Sequence, residues 1–314
     1  MQKRNIRENS KKEKNKKSMR IYDCFMFYDE DLVLELRLNI LSKIVHKFVI
    51  VESKYTHSGE KRKLLFDPKK YTQFEKKITY ILLDEEPKNL DKINNSDSYE
   101  VKNSKYIINA LKRENFQRNA ILRGLKDANN DDLILISDVD EIPNLNQFDF
   151  SEIKNEIILF KQNFYYYKLN LKLEDVPWYG TKACKYKNLK SPQWLRNIKD
   201  KKYPFWRPDV MFSNKKYSNI KFIKNGGWHF SNMKTPAEIE KKMRTYLHHR
   251  EYDIKPLGTK KIEEMIKSKK SIYNLRADMK NEKIDGTQNL KATDGRELPE
   301  YLKKNKTKYS NWIE

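Results

Sequence analysis

The sequence predicts an α/β chain built on a parallel-type sheet covered on both faces. Three observations predict it. Strand-like apolar runs alternate with helix-periodic segments across the first 140 residues. A chain of 314 residues is long enough to bury a sizeable core. Its hydrophobic content of 38% and aromatic content of 12% set it apart from disordered chains, despite 35% charged residues.

The elements follow in order. Residues 1–18 have almost no apolar content and read as a solvated, disordered basic tail. Met19 directly precedes the first structured segment and is a candidate natural start. Residues 20–28 (RIYDCFMFY) predict a strand. Leu32, Val33, Leu36, Ile40, Leu41 and Ile44 then recur at helical spacing, which predicts a helix over 29–44. Residues 47–52 (KFVIVE) and 78–83 (ITYILL) predict a second and a third strand. Residues 84–104 are rich in Pro, Asn, Asp and Ser and read as a loop, followed by a helix over 105–126. Asn129-Asn130 form a turn into a fourth strand, 132–137 (DLILIS). The last 80 or so residues are lysine-rich and mostly helical in pattern, and no internal repeat is present.

Formal net charge is +22. One reading is nucleic-acid binding. The other is a lysine-rich enzyme surface, suited to anionic partners such as a nucleotide diphosphate or an acidic membrane face. Eight Lys/Arg and two Glu give the tail +6 by itself, and the remaining charge is spread along the chain. Cys24 and Cys184 form no CxxC pair, which argues against a disulfide framework or zinc site and for a reducing compartment. No apolar run approaches the ~20 residues that span a bilayer, and there is no signal-peptide core. The expected location is cytoplasmic, at most peripheral to a membrane. Each basic tail residue near anionic lipid contributes about 1 kcal/mol, so the tail is a candidate for weak attachment, the alternative being an inert extension.

Parallel sheets place ligands at the carboxyl ends of their strands. Tyr28, Glu52, Asp84 and the run after Ile136 therefore matter most. That run is Ser137-Asp138-Val139-Asp140-Glu141-Ile142-Pro143. In extended geometry Asp138 and Asp140 point the same way. Two neighbouring carboxylates repel, and a divalent cation or a shared proton relieves this. Magnesium and manganese take oxygen ligands and bridge carboxylates to substrate phosphates. The alternative is a helix N-cap followed by a solvated acidic turn. A calcium loop does not fit, and the chain has neither GxGxxG nor GxxxxGK[ST]. A metal-dependent nucleotidyltransferase also pairs aspartates and stays open at this point.

Six segments in order resemble glycosyltransferase family 17, whose animal members are the beta-1,4-mannosyl-glycoprotein 4-beta-N-acetylglucosaminyltransferases. They are DEDLVLELRLNIL (29–41), VESKYTHSGEKRKLLF (51–66), DDLILISDVDEIP (131–143), GGWHFSNM (226–233) followed by Thr235-Pro236, DGTQ (285–288) and LPEYLKKN (298–305). In the second, Glu52, Ser53, Thr56, Gly59, Glu60, Arg62 and Phe66 carry the match. The resemblance implies a glycosyltransferase A-type (Rossmann-like) single domain with a helical C-terminal extension. Its catalytic core would cover 19–235, with a helical region over 236–314 packing on it. It further implies a UDP-sugar donor, typically UDP-N-acetylglucosamine, a glycan acceptor, inversion at the anomeric carbon, and Mn²⁺ or Mg²⁺ against the diphosphate. Nucleic acid is then not an expected partner. The animal enzymes carry a membrane anchor and lumenal stem where this chain has its lysine-rich tail, so a Golgi address and an N-glycan acceptor do not carry over. A bacterial or viral surface glycan is the expected acceptor class. Asp31, where the acidic-apolar order departs from the family's, receives no role.

The resemblance assigns the metal to Asp138, Asp140 and His229, with Asp140 the direct ligand and Asp138 shared with ribose or water; the alternative for His229 is a packed or solvated histidine. Glu52 and Arg118 join Asp138 as donor-binding candidates; the alternatives are a loop cap for Glu52 and a surface pair with Glu114 for Arg118. Trp178, in loop-like sequence, is the acceptor-stacking candidate, its alternative being core packing. Inversion needs a base for the acceptor hydroxyl, and Glu141 and Asp285 are the candidates; the alternatives are a ligand-orienting group or a supporting hydrogen-bond acceptor for Glu141, and a turn residue for Asp285.

Overall fold

The computed structural model describes residues 19–147, 149–150, 153–154, 156–246, 249–274 and 288–314. The expected tail and Asp285 lie outside them. Four strands form the predicted parallel unit: β1 (Ile21–Met26), β2 (Lys47–Ser53), β3 (Ile78–Leu83) and β4 (Leu133–Asp138). They lie in the order β3-β2-β1-β4, all parallel. The chain steps outward from β1 to β2 and β3, then crosses back to β4 on the far side of β1. Strand order thus reverses between β1 and β4, where such sheets open a crevice.

Strand alternation makes two cores. Ile21, Phe25, Phe48, Ile50, Leu133 and Leu135 face one side, where helix α1 (Asp31–Leu41) packs Val33, Leu34, Leu36, Leu38 and Leu41 against them. Each such side chain contributes about 2 kcal/mol on burial. Tyr22, Cys24, Val49, Val51, Ile134, Ile136 and Cys184 face the other side, covered by Ala120, Ile121, Leu125 and Leu195. Helix α2 (Tyr99–Asn119) runs on that side and continues into a 3-10 turn, Ala120–Gly124. It starts six residues before the predicted 105, because the Ser98 hydroxyl caps Val101 N and Glu100 complements the first turn.

Beyond β4 the sheet departs from the parallel prediction. β5 (Glu141–Pro143), β6 (Ile157–Tyr166), β7 (Leu171–Lys185), β8 (Ile220–Ile223) and β9 (Gly227–Ser231) extend it in the order β4-β7-β6-β9-β5, with β8 also on β6. β7 is antiparallel to both β4 and β6, and β5 to β9. Trp178, expected in a loop, lies within β7. Short helices α3 (Pro192–Arg196) and α4 (Pro208–Met211) separate β7 from β8. After β9 come α5 (Pro236–Thr245), α6 (His249–Ile254) and α7 (Thr259–Lys267). Ile239, Met243, Tyr252, Ile262 and Met265 from this part pack on Phe164, Tyr166 and Leu171 of β6 and β7 as a third core. Strand β10 (Lys291–Ala292) pairs with β7, and Leu302 of α8 (Glu300–Lys304) returns to the first core.

Candidate active site

The crevice between β1 and β4 holds a cavity of about 420 Å³, within the range of small-molecule sites. Met26, Phe27 and Tyr28 from the end of β1 and Asp138, Val139 and Asp140 after β4 form its floor. Arg118, Trp178, Arg196 and His229 complete one wall; Glu30, Thr56, His57, Gln117 and Lys242 line others.

The acidic run does not continue extended. It turns at Val139-Asp140 and re-enters the sheet as β5. The two aspartates consequently meet different partners. Asp138 Oδ1 accepts from Arg118 Nη2 (3.1 Å) and Asp138 Oδ2 from Arg196 Nη2 (2.7 Å). Burial by itself would raise this carboxyl; Arg196 and then Arg118 outweigh burial and hold it well below the usual carboxylate range. Asp140 Oδ2 stands 3.5 Å from His229 Nε2. There too burial raises the carboxyl and His229 outweighs it, leaving it low.

Backbone pairing explains why the GGWHF motif meets the acidic run. β9 lies antiparallel to β5 in a register that sets His229 opposite Glu141 and Gly227 opposite Pro143, while Phe230 N donates to Asp140 O (2.8 Å). Both glycines are sites of close backbone approach. A Cβ at Gly226 would lie 2.6 Å from Lys161 N, and one at Gly227, whose φ is +125°, 2.1 Å from Ile142 O. His229 is gripped by aromatic rings, Trp178 stacked at 4.7 Å and Phe164 edge-on at 4.2 Å.

Glu141 is placed behind the cavity wall and not in it. It is fully buried and accepts from Asp138 N (2.9 Å), Trp178 Nε1 (2.9 Å) and both terminal nitrogens of Arg196 (2.9 Å each). With its oxygens so engaged it is a hydrogen-bond acceptor for Arg196, Trp178 and the turn, the alternative to a catalytic role that the sequence left open. Glu52 is likewise buried, accepting from Leu65 N, Phe66 N, the Tyr80 hydroxyl and Arg62. It shapes the 60–66 loop, the loop-cap alternative, and only its partner Arg62 lines the cavity. Arg118 makes the pair with Glu114 (2.8 Å) and the contact to Asp138 at once, and its Nε has no partner among the described residues. Trp178 reaches the cavity wall while packing on His229.

Three residues carry the site that the sequence reading did not single out. Arg37 of α1 is fully buried against Asp23 of β1, at 2.7 and 2.6 Å. Its remaining donors reach Ser137 Oγ (2.5 Å) and the carbonyls of Asp138 (3.0 Å), Val139 (3.1 Å) and Glu141 (2.9 Å). One guanidinium therefore fixes the acidic turn from below. Arg196 is the second. Lys182 Nζ donates to Arg196 O (2.7 Å) and to Ile198 O, holding the end of α3 in place. Glu30 is the third: its Oε2 accepts from Tyr28 N and Asp29 N (3.1 Å each), and burial raises its carboxyl despite the nearby Lys234.

Among the described residues no group of three or more His, Cys, Asp or Glu side chains is set to hold a metal ion. Asp140 and His229 nevertheless offer an oxygen and a nitrogen donor together, and His229 Nδ1 is buried without a partner among the described residues. That set fits a magnesium or manganese ion taking its other ligands from water and a diphosphate. Asp138, with each oxygen on an arginine, fits the ion less well than the sequence implied. No helix among the described residues is long and apolar enough to cross a membrane.

No curated protein matches the chain in sequence. The sequence profile of Glycosyltransferase family 17 matches residues 7–313, essentially the whole chain, and takes in the β1–β4 crevice, the acidic turn and the β9 histidine. The chain belongs to glycosyltransferase family 17 and is a glycosyltransferase.

Proposed function

We propose that the chain moves a sugar, N-acetylglucosamine being the first to test, from a UDP-sugar to a hydroxyl of a glycan acceptor, with inversion and on a glycosyltransferase A-type fold. The observation that carries this reading is the pairing, in one switch-point cavity, of Asp140–His229 with Arg118 and Arg196 on Asp138. Asp140 and His229 would hold Mn²⁺ or Mg²⁺, which when bound offsets the charge of a diphosphate leaving group. Arg118, which lines the cavity beside Asp138, suits a diphosphate oxygen. His57 and Gln117, 3.2 Å apart on the β2 side, suit the polar edge of a nucleobase. Glu30, a carboxylate that lines the cavity, would take the acceptor's proton: the acceptor oxygen bonds to the anomeric carbon, the bond to the diphosphate breaks, and the proton passes to Glu30. Burial raises its basicity toward that task. Trp178 offers an aromatic face to the acceptor sugar.

The test is UDP release from UDP-N-acetylglucosamine with a panel of glycan acceptors. Manganese should support it and a chelator abolish it; full turnover in chelator refutes the metal. Glu30→Gln should lower kcat by about 10²–10⁴-fold while leaving the donor KM near its original value. Unchanged kcat removes Glu30 as the base.

A further inference from the structure

Four large apolar side chains stand out of the surface on one short segment. Phe205 is 75% exposed, Trp206 68%, Met211 70% and Phe212 89%. Among the described residues no other exposed large apolar side chain exceeds Tyr99, at 62%. A cluster of this kind on a chain that is otherwise highly charged calls for a covering surface.

The segment is built to present them. Its neck is closed by Lys199 N donating to Lys215 O (2.8 Å) and Tyr203 N to Tyr217 O (3.1 Å). Val210 alone turns inward. Residues 199–216 carry six Lys/Arg against two Asp. Asp209 is neutralised by Arg207 (2.9 Å) and Lys216 (2.7 Å), while Lys201, Lys202 and Lys215 stay exposed around the apolar tip.

We propose that residues 203–212 form a docking knob that enters the interface of an anionic lipid bilayer. Side chains this exposed project from the protein and do not line a groove for a peptide. Phe, Trp and Met suit the headgroup–acyl boundary, and a lysine collar complements anionic headgroups in a way that a neutral apolar partner would not require. The knob also has a mechanical link to the cavity. Arg196, which meets Asp138 there, lies three residues before the neck, and Lys182 ties the carbonyls of Arg196 and Ile198 together. Docking through the knob would set the cavity at a fixed position above the lipid, where lipid-linked acceptors lie. The basic tail, by contrast, offers charge without an apolar anchor.

The test uses the full chain with vesicles of phosphatidylcholine plus phosphatidylglycerol, and of phosphatidylcholine alone. Sedimentation should occur with the mixed vesicles and fall about tenfold in the triple variant Phe205→Ser/Trp206→Ser/Phe212→Ser, whose turnover of a soluble acceptor stays unchanged. Lipids brominated in the acyl chain should quench tryptophan emission in the native chain, and Trp206→Phe should lose this quenching while still sedimenting. Equal sedimentation of the triple variant and the native chain overturns the knob and leaves the tail as the attachment. Absence of quenching, equal binding to both lipid mixtures, or no binding to either overturns it as well.

Discussion

Arg37→Met separates stability from positioning at the acidic turn. The native guanidinium has two jobs: it neutralises Asp23, itself fully buried, and it supplies donors to Ser137 and three carbonyls of the turn. Methionine keeps much of the volume and removes every donor. Breaking one side of a buried ion pair costs about 3–5 kcal/mol, because the other charge stays behind unpaired. That is a large part of the roughly 5–15 kcal/mol that holds a domain folded. The companion variant Arg37→Met/Asp23→Leu removes the stranded carboxylate, and urea unfolding should show most of the lost stability restored. Turnover should not return with it. The carbonyls of residues 138, 139 and 141 still lack their anchor, the turn drifts, and a drift near 1 Å costs about a hundredfold in rate. UDP release read beside the urea midpoint makes the comparison. A double variant that regains both stability and turnover would show that Arg37 only pairs Asp23.

Further outcomes are expected at the site and behind it. Asp140→Asn should lower turnover about a hundredfold with little change in the urea midpoint, and His229→Ala should raise the manganese needed for half activity about tenfold; equal loss of folding in both would make them packing residues instead. Gly180→Ala places a Cβ 2.4 Å from Glu141 Cδ and 2.4 Å from Gln162 Oε1, both buried, so it should cost about 1–3 kcal/mol and loosen Arg196; a neutral effect on both stability and turnover refutes the claim that Glu141 sets the wall. Lys182 is pushed down to about 8, first by burial and then by Arg196. Its folded value lies below its unfolded one, so the unfolded chain binds the extra proton between pH 8 and about 10.5, and stability should rise by roughly 1–2 kcal/mol from pH 8 to 9.5. Lys182→Met should flatten that rise, and an identical pH curve for the variant refutes the assignment.

The parallel half of the sheet was legible because its strands are continuous apolar runs, such as Phe48–Val51 and Leu133–Ile136, which only burial on both faces explains. The long β6–β7 ladder was not. Residues 171–185 mix Lys, Glu and Asp with apolar residues and carry Pro177 and Gly180, so their local pattern reads as loop while pairing with β4 and β6 makes them strand. Asp140 and His229 were legible from motif order, Arg118 from its place on the helix before the acidic strand and Trp178 as an aromatic near Gly and Pro, and all four line one cavity. Glu141 was read as a candidate base and Glu52 as a donor contact because sequence gives their place in a motif but not the direction of their side chains. Arg37 and Asp23 left a signal that was passed over: each is a charge inside an apolar stripe, and two such charges must find each other. Arg196 left none, since its role depends on a crossing of α3 over β4 that no local pattern encodes.

The two thiols give the core an internal reporter. Cys24 stands opposite Ile136 and Cys184 opposite Ile134, on the sheet face covered by the end of α2, the 120–124 turn and α3. Burial pushes Cys24 well up and Cys184 up to about 12, so neither is a thiolate at neutral pH. A thiol reagent can therefore react only when that helical layer lifts from the sheet. The rate of its consumption counts those openings directly, with no label introduced and no cavity residue altered.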